Sequence, residues 1–129
     1  MSDFSHTNLM AIDNLAADRG PGFEARFARS SIDSEHLGVS YFAYPPGTRI
    51  AIGHSHREQE EAYVVVSGSG RMRLDDEVIE LAQWDVVRVA PQVVRGFESG
   101  PDGIVYIAVG NDRPEGGDGQ RVEDFWPAD

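Results

Sequence analysis

Turn residues set the possibilities for this chain. From about residue 22 to residue 110, apolar runs are short and most are cut by Pro, Gly or Asp. The runs are FEARFA at 23–28, LGVSYFAY at 37–44, TRIAIGHSH at 48–56, EEAYVVVS at 60–67, RMRLD at 71–75, EVIELA at 77–82, DVVRVA at 85–90, VVRGFES at 93–99 and IVYIAV at 104–109. Between them stand PPG at 45–47, GSG at 68–70, Pro91 and GPDG at 100–103. Proline presets φ, and glycine supplies the positive φ that tight turns need. Eight or nine short strands with regular turn signals predict an all-β sandwich or barrel. Alternation is visible in places: Met72 and Leu74 face one way, Arg71 and Arg73 the other.

The flanks differ in texture. Leu9, Met10, Ile12, Leu15 and Ala16 suit either a turn or two of amphipathic helix or a packed arm. The tail, NDRPEGGDGQRVEDFWPAD at 111–129, loses the strand pattern. Its Val122, Phe125 and Trp126 are spaced like one helical face, suited to capping the open end of a barrel or to a subunit contact. The expected division is therefore an N-terminal arm at 1–21, a barrel at 22–110 and a packing tail at 111–129.

Composition excludes several function classes. The chain carries 22 acids against 11 arginines, no lysine, and a formal charge of −11. That charge repels phosphate backbones and anionic membrane surfaces, so nucleic acid and membrane are not expected partners. Absence of lysine removes Schiff-base chemistry and the lysine of a phosphate-binding loop. Absence of cysteine removes thiolate zinc sites, disulfides and thiol nucleophiles. The N-terminal residues lack a signal-peptide pattern, and no run of about 18 apolar residues occurs. A soluble, cytoplasmic protein is the expectation.

Chemistry concentrates in GHSHREQEEAYVVVSGSG at 53–70. On a strand, Ile50, Ile52, His54 and His56 share one face, and the isoleucines mark that face as interior. After a turn at 57–60 the chain returns with Glu61, Tyr63 and Val65 on a common face. If the two strands are adjacent, two imidazoles and one carboxylate converge. That donor set suits Fe, Mn, Ni or Zn. Gln59 is a conceivable further ligand. An isolated His-x-His is weak support for a metal. The ordered package of His-x-His, four residues, Glu, six residues and Gly is much more specific.

That package resembles the first motif of the cupin superfamily, carried here by Gly53, His54, His56, Glu61 and Gly68. A second motif resembling the family's lies in LAQWDVVRVAPQVVRGFES at 81–99. Asp85 and Pro91 are kept, Trp84 stands where glycine is usual, and Val93 replaces another glycine. Arg95 occupies the place of the family's fourth metal ligand, a histidine. The resemblance implies a small jelly-roll barrel of the single-domain cupin type, a pocket lined by these positions, and a homodimer.

Arginine is no metal ligand. At about 5 Å and an effective dielectric near 20, it opposes a divalent ion by roughly 6–7 kcal/mol. Three roles for Arg95 stay open: an internal ion pair with Glu61, an anchor for an anionic ligand, or a solvent-facing place at the barrel mouth. Tyr41 and Tyr63 are further pocket candidates. Trp84 reads as packing, and His6 and His36 as surface residues. The functional expectation is a small-molecule-binding cupin whose pocket takes an anionic or polyhydroxyl ligand through Arg95, Tyr63 and Tyr41. The alternative is a metal-dependent dioxygenase, isomerase or decarboxylase using His54, His56 and Glu61. A third reading is an interaction protein in which the polar cluster only fixes strand register.

Overall fold

The computed structural model describes residues 3–127. Among them are eight strands: β1 (Glu24–Phe27), β2 (Gly38–Tyr44), β3 (Gly53–His56), β4 (Glu61–Leu74), β5 (Glu77–Leu81), β6 (Val86–Val89), β7 (Arg95–Gly110) and β8 (Gly119–Val122). All their pairings are antiparallel. The order is β1-β2-β7-β3-β8, and β4 joins β7 while also pairing with β5 and β6. The sheet curls into a jelly-roll barrel. No helix among the described residues is long and apolar enough to cross a membrane.

The N-terminal segment is an arm, not an α-helix. It contains two short 3-10 turns, Leu9–Ala11 and Ala17–Arg19. Asn14 ties it down: its amide donates to the Phe23 carbonyl and accepts from the backbone N–H of Ala16 and Ala25.

Two pairs of expected strands are single long ones. Residues 61–74 form β4, and 95–110 form β7. The GSG at 68–70 is thus a bend inside a strand. Register shifts between Val65 and Ser67 and between Gly68 and Gly70 mark it. Gly68 has φ 76°, and a Cβ there would lie 2.1 Å from the Gly103 carbonyl oxygen. The bend lets one strand serve two partners. The first part of β4 pairs with β6 and the last with β5, while β7 runs alongside both.

The core is Tyr63, Val65, Met72, Leu81, Val89, Phe97, Ile104, Tyr106 and Ala108. Phe97 and Tyr106 stack at 4.3 Å, and Phe42 stacks on Tyr106 at 5.0 Å. Tyr44 and Tyr106 satisfy each other's hydroxyls at 2.7 Å, removing a desolvation cost that either alone would carry.

The tail departs from the helical face expected of it. Residues 119–122 form β8, laid antiparallel on β3 with Gly53 opposite Val122 and His56 opposite Gly119. Only one of the four residues in GQRV is apolar, so no hydrophobic alternation announced the strand. Beyond it, Phe125 is buried against Gly53 and Gly96, where an added Cβ would come within 2.7 and 2.9 Å of the ring. Trp126 sits under Arg49 at 4.8 Å and Arg71 at 5.6 Å, and both arginines pair with Glu98. The tail is thereby clamped to the barrel wall.

Gly68 and Gly47 both have positive φ, 76° and 63°, but a Cβ at Gly47 meets nothing within 4 Å. Gly47→Ala is expected to lose about 1 kcal/mol of unfolding free energy from backbone strain alone. Gly68→Ala is expected to lose at least twice that, because backbone must also move. Equal losses in chemical denaturation would show that the bend is not held by crowding.

Candidate metal centre

The site forms where three strands present their ends to the interior. β3 carries His54 and His56, β4 opens with Glu61, and β7 opens with Arg95. β3 does not pair with β4, contrary to the adjacent-strand expectation; it pairs with β7 and β8. The histidines and the carboxylate therefore meet across the barrel interior. His54 stands directly opposite Arg95 in the β3–β7 register, which puts both side chains on one face. Ile50, Ile52, His54, His56, Glu61, Tyr63 and Arg95 all line one cavity of about 640 Å³.

One oxygen is the focus. Glu61 Oε1 lies 3.3 Å from His54 Nε2 and 3.1 Å from His56 Nε2, and it accepts from the Tyr63 hydroxyl at 2.5 Å. Arg95 Nη1 is 3.9 Å away. Burial alone would raise the Glu61 pKa. The hydrogen bonds from His54, His56 and Tyr63 outweigh it and hold the carboxyl well below the usual carboxylate range. Burial, with the Glu61 charge beside it, pushes the Tyr63 hydroxyl well above its ordinary value, so Tyr63 remains a donor.

Arg95 is fully buried, which removes the solvent-facing reading. Its Nη2 donates to the Ala90 carbonyl at 3.0 Å, while Nε and Nη1 have no hydrogen-bond partner. At 3.9 Å the contact with Glu61 is charge attraction without a hydrogen bond. Glu60, another conceivable partner for Arg95, is taken by Arg88 at 2.7 Å.

Tyr41 does not line the cavity. Its strand neighbours Ser40 and Phe42 do, and Tyr41 lies on the opposite face beside Arg26. Composition could not settle that parity, because aromatic and small residues stand on both faces of β2. Gln59 is buried and braces the 57–60 turn through a hydrogen bond to the Asn111 carbonyl. His36 is an exposed partner of Asp112.

One residue of the cluster had no signal in the sequence. Asp118 accepts from His56 Nδ1 at 2.8 Å and from the backbone N–H groups of Glu58 and Gln59 at 2.7 and 2.9 Å. It stands 62 positions from His56 in a glycine-rich stretch. Burial works to raise its pKa, but the two amides and His56 hold it at about 2. The Glu61 hydrogen bond raises the His56 pKa against burial, and Asp118 adds to that.

The family model of the cupin domain matches residues 40–109, more than half of the 129 residues. The chain belongs to the cupin family. No curated protein matches this cupin in sequence. Among solved structures, a cupin protein from Bacteroides fragilis superposes with a TM-score of 0.72 at 23% identity, covering 88% of each chain. A conserved protein with a double-stranded β-helix domain from Klebsiella pneumoniae gives 0.71 at 18%, over 95% of this cupin and 99% of that chain. Bacillus subtilis oxalate decarboxylase gives 0.72 at 19%, over 87% of this cupin but 30% of its own chain. At these identities the likeness is one of fold.

The donor set fits a divalent transition metal. His54, His56 and Glu61 each offer one ligand atom, all within 4.8 Å of one another. With bonds of about 2.1 Å, neighbouring ligand atoms stand about 3.0 Å apart in an octahedron and about 3.4 Å apart in a tetrahedron. The two observed N–O separations, 3.1 and 3.3 Å, fall in that interval.

The acid response of this cupin follows from Asp118. Its ordinary pKa is 3.8 and its folded value about 2, so the unfolded chain takes up the proton first. Its contribution is full above about pH 4 and is lost as pH falls towards 2. Between pH 5 and 3, urea denaturation of the metal-free protein should lose about 1 kcal/mol from Asp118 alone, with Glu61 acting in the same direction. A flat profile across that interval would contradict the assignment.

Proposed function

We propose that this cupin binds a small carboxylate-bearing molecule, with Arg95 as its anchor. The carrying observation is Arg95 itself, fully buried with Nε and Nη1 unpartnered at a cavity wall. A buried guanidinium left short of acceptors costs several kcal/mol, and an incoming carboxylate would supply them. The charge pattern supports the same ligand. The cavity lining includes Arg19, Arg29, Arg95 and Arg113 against a single acid, Glu61, in a chain of net charge −11. Such a local inversion concentrates anions. The volume, about 640 Å³, suits a small organic molecule, and Phe42, Phe97 and Tyr106 give it apolar walls. Oxalate decarboxylase, similar in fold, is named for a carboxylate substrate. That likeness adds only analogy.

A second reading has its own observation, the convergence of His54, His56 and Glu61. These residues would hold a divalent transition metal, leaving positions for water or for the ligand. When bound, the metal would act as a Lewis acid towards a ligand oxygen. The two readings are compatible, since Arg95 and the donor set share one cavity.

Metal analysis of untagged protein, together with thermal-shift measurement against a panel of mono- and dicarboxylates, tests both. A ligand at a hundred times its Kd is expected to stabilise by about 2.7 kcal/mol, a rise of several degrees. Arg95→Met should abolish that rise. Because Arg95 also neighbours the buried Glu61, the melting temperature of the unliganded variant is the reference from which that rise is read. Loss of bound metal in His54→Ala supports the second reading. A carboxylate shift that survives in Arg95→Met would sink the first.

A further inference from the structure

We infer that Asp118 is the positioning residue of the His54–His56–Glu61 site, presenting Nε2 of His56 to the site by holding its Nδ1. Asp118 lies beyond residues 40–109, so the cupin-domain match does not reach it. It arrives from the tail, where β8 lies on β3 and sets Gly119 opposite His56. Gly119 has no side chain, and even an added Cβ there would be 3.9 Å from the His56 ring. The imidazole thus lies close along the tail backbone.

The direction of the hydrogen bond follows from the acceptor. The Asp118 side chain is 1% exposed. Its Oδ2 already accepts two backbone N–H groups, those of Glu58 and Gln59. An ionised carboxylate can only accept, so the 2.8 Å contact to Oδ1 puts a hydrogen on His56 Nδ1. Nε2, the atom 3.1 Å from Glu61 Oε1, is then the one ring position a metal could take, in exchange for any hydrogen it shares with Glu61. The arrangement of carboxylate, imidazole and metal is a general means of fixing ring orientation and tautomer. Here the same carboxylate also closes the 57–60 turn, which joins the strand of the histidines to the strand of Glu61. One tail residue therefore sets the ring and the path between the ligand-bearing strands.

An amide cannot replace it. If the Asn oxygen faced the two backbone N–H groups, its NH₂ would face Nδ1 and force the hydrogen onto Nε2, blocking coordination. In the opposite orientation, the NH₂ would oppose two backbone donors.

The inference rests on the metal reading only where affinity is measured. Two measurements on the full chain separate the claims: Zn²⁺ titration of wild type and Asp118→Asn, and long-range ¹H–¹⁵N spectra of the His56 ring. The wild type is expected to show a slowly exchanging hydrogen on Nδ1. Asp118→Asn should lose that signal and bind Zn²⁺ 10–100-fold more weakly. If the wild type binds no Zn²⁺, the metal reading falls, and the Nδ1 hydrogen still decides the positioning role. The wild-type spectrum also decides it should Asp118→Asn fail to fold. A wild-type His56 carrying its hydrogen on Nε2 alone overturns the inference, as does an Asp118→Asn protein with unchanged ring signals and unchanged affinity.

Discussion

The arrangement of the site turns on Glu61 Oε1. Two imidazoles, one phenol and one guanidinium crowd this oxygen, from strands that do not all pair with each other. Had Glu61 been protonated, it would have lost its hold on most of them. The carboxyl is kept ionised because the hydrogen bonds of His54, His56 and Tyr63 overcome the cost of burying it. The charge in turn gives the buried Arg95 its only nearby counter-ion among the described side-chain contacts. Polar residues in a barrel interior are costly singly and tolerable together.

The scaffold brings these groups together through length and bending. β7 reaches from the site to the far end of β2, pairing with β2, β3 and β4 on the way. A straight sixteen-residue strand could not follow a sheet curled this tightly. The shifts in register at the GSG of β4 absorb the curvature, so Arg95 at one end of β7 and the Tyr106 core in its later half belong to one continuous element. Tail and barrel are coupled by the same economy. β8 covers the edge of β3, Phe125 seals Gly53 and Gly96, and Asp118 reaches the site.

What was legible in the sequence, and what was not, divides along physical lines. Turn residues and alternation identified an all-β barrel, and the His-x-His…Glu spacing gave the residues that converge, because both are local properties of a strand. Pairing is not local: β3 and β4 are consecutive yet unpaired, and no pattern within either reveals that. The GSG signals a turn and forms a bend inside β4, because glycine permits either. Tyr41 is a pocket candidate by sequence but does not line the cavity, because aromatic residues stand on both faces of β2 and do not mark its parity. β8 and Asp118 leave no sequence signal for a common reason. The tail strand is polar, held by backbone pairing and by Phe125 after it, and a carboxylate 62 residues from its imidazole leaves no spacing to read.

Charge explains how an arginine can stand where a fourth ligand is expected. Both ring nitrogens of His56 face carboxylates, and the Glu61 hydrogen bond raises its pKa against burial. Glu61 and Asp118 bring two negative charges to a site whose permanent cation is Arg95. A divalent ion held by neutral imidazoles would leave the sum one charge positive. A bound monocarboxylate would return it to neutrality, and under the proposed function Arg95 would meet that carboxylate. The substitution that weakens an all-protein metal shell is thus the same one that would make a carboxylate part of it.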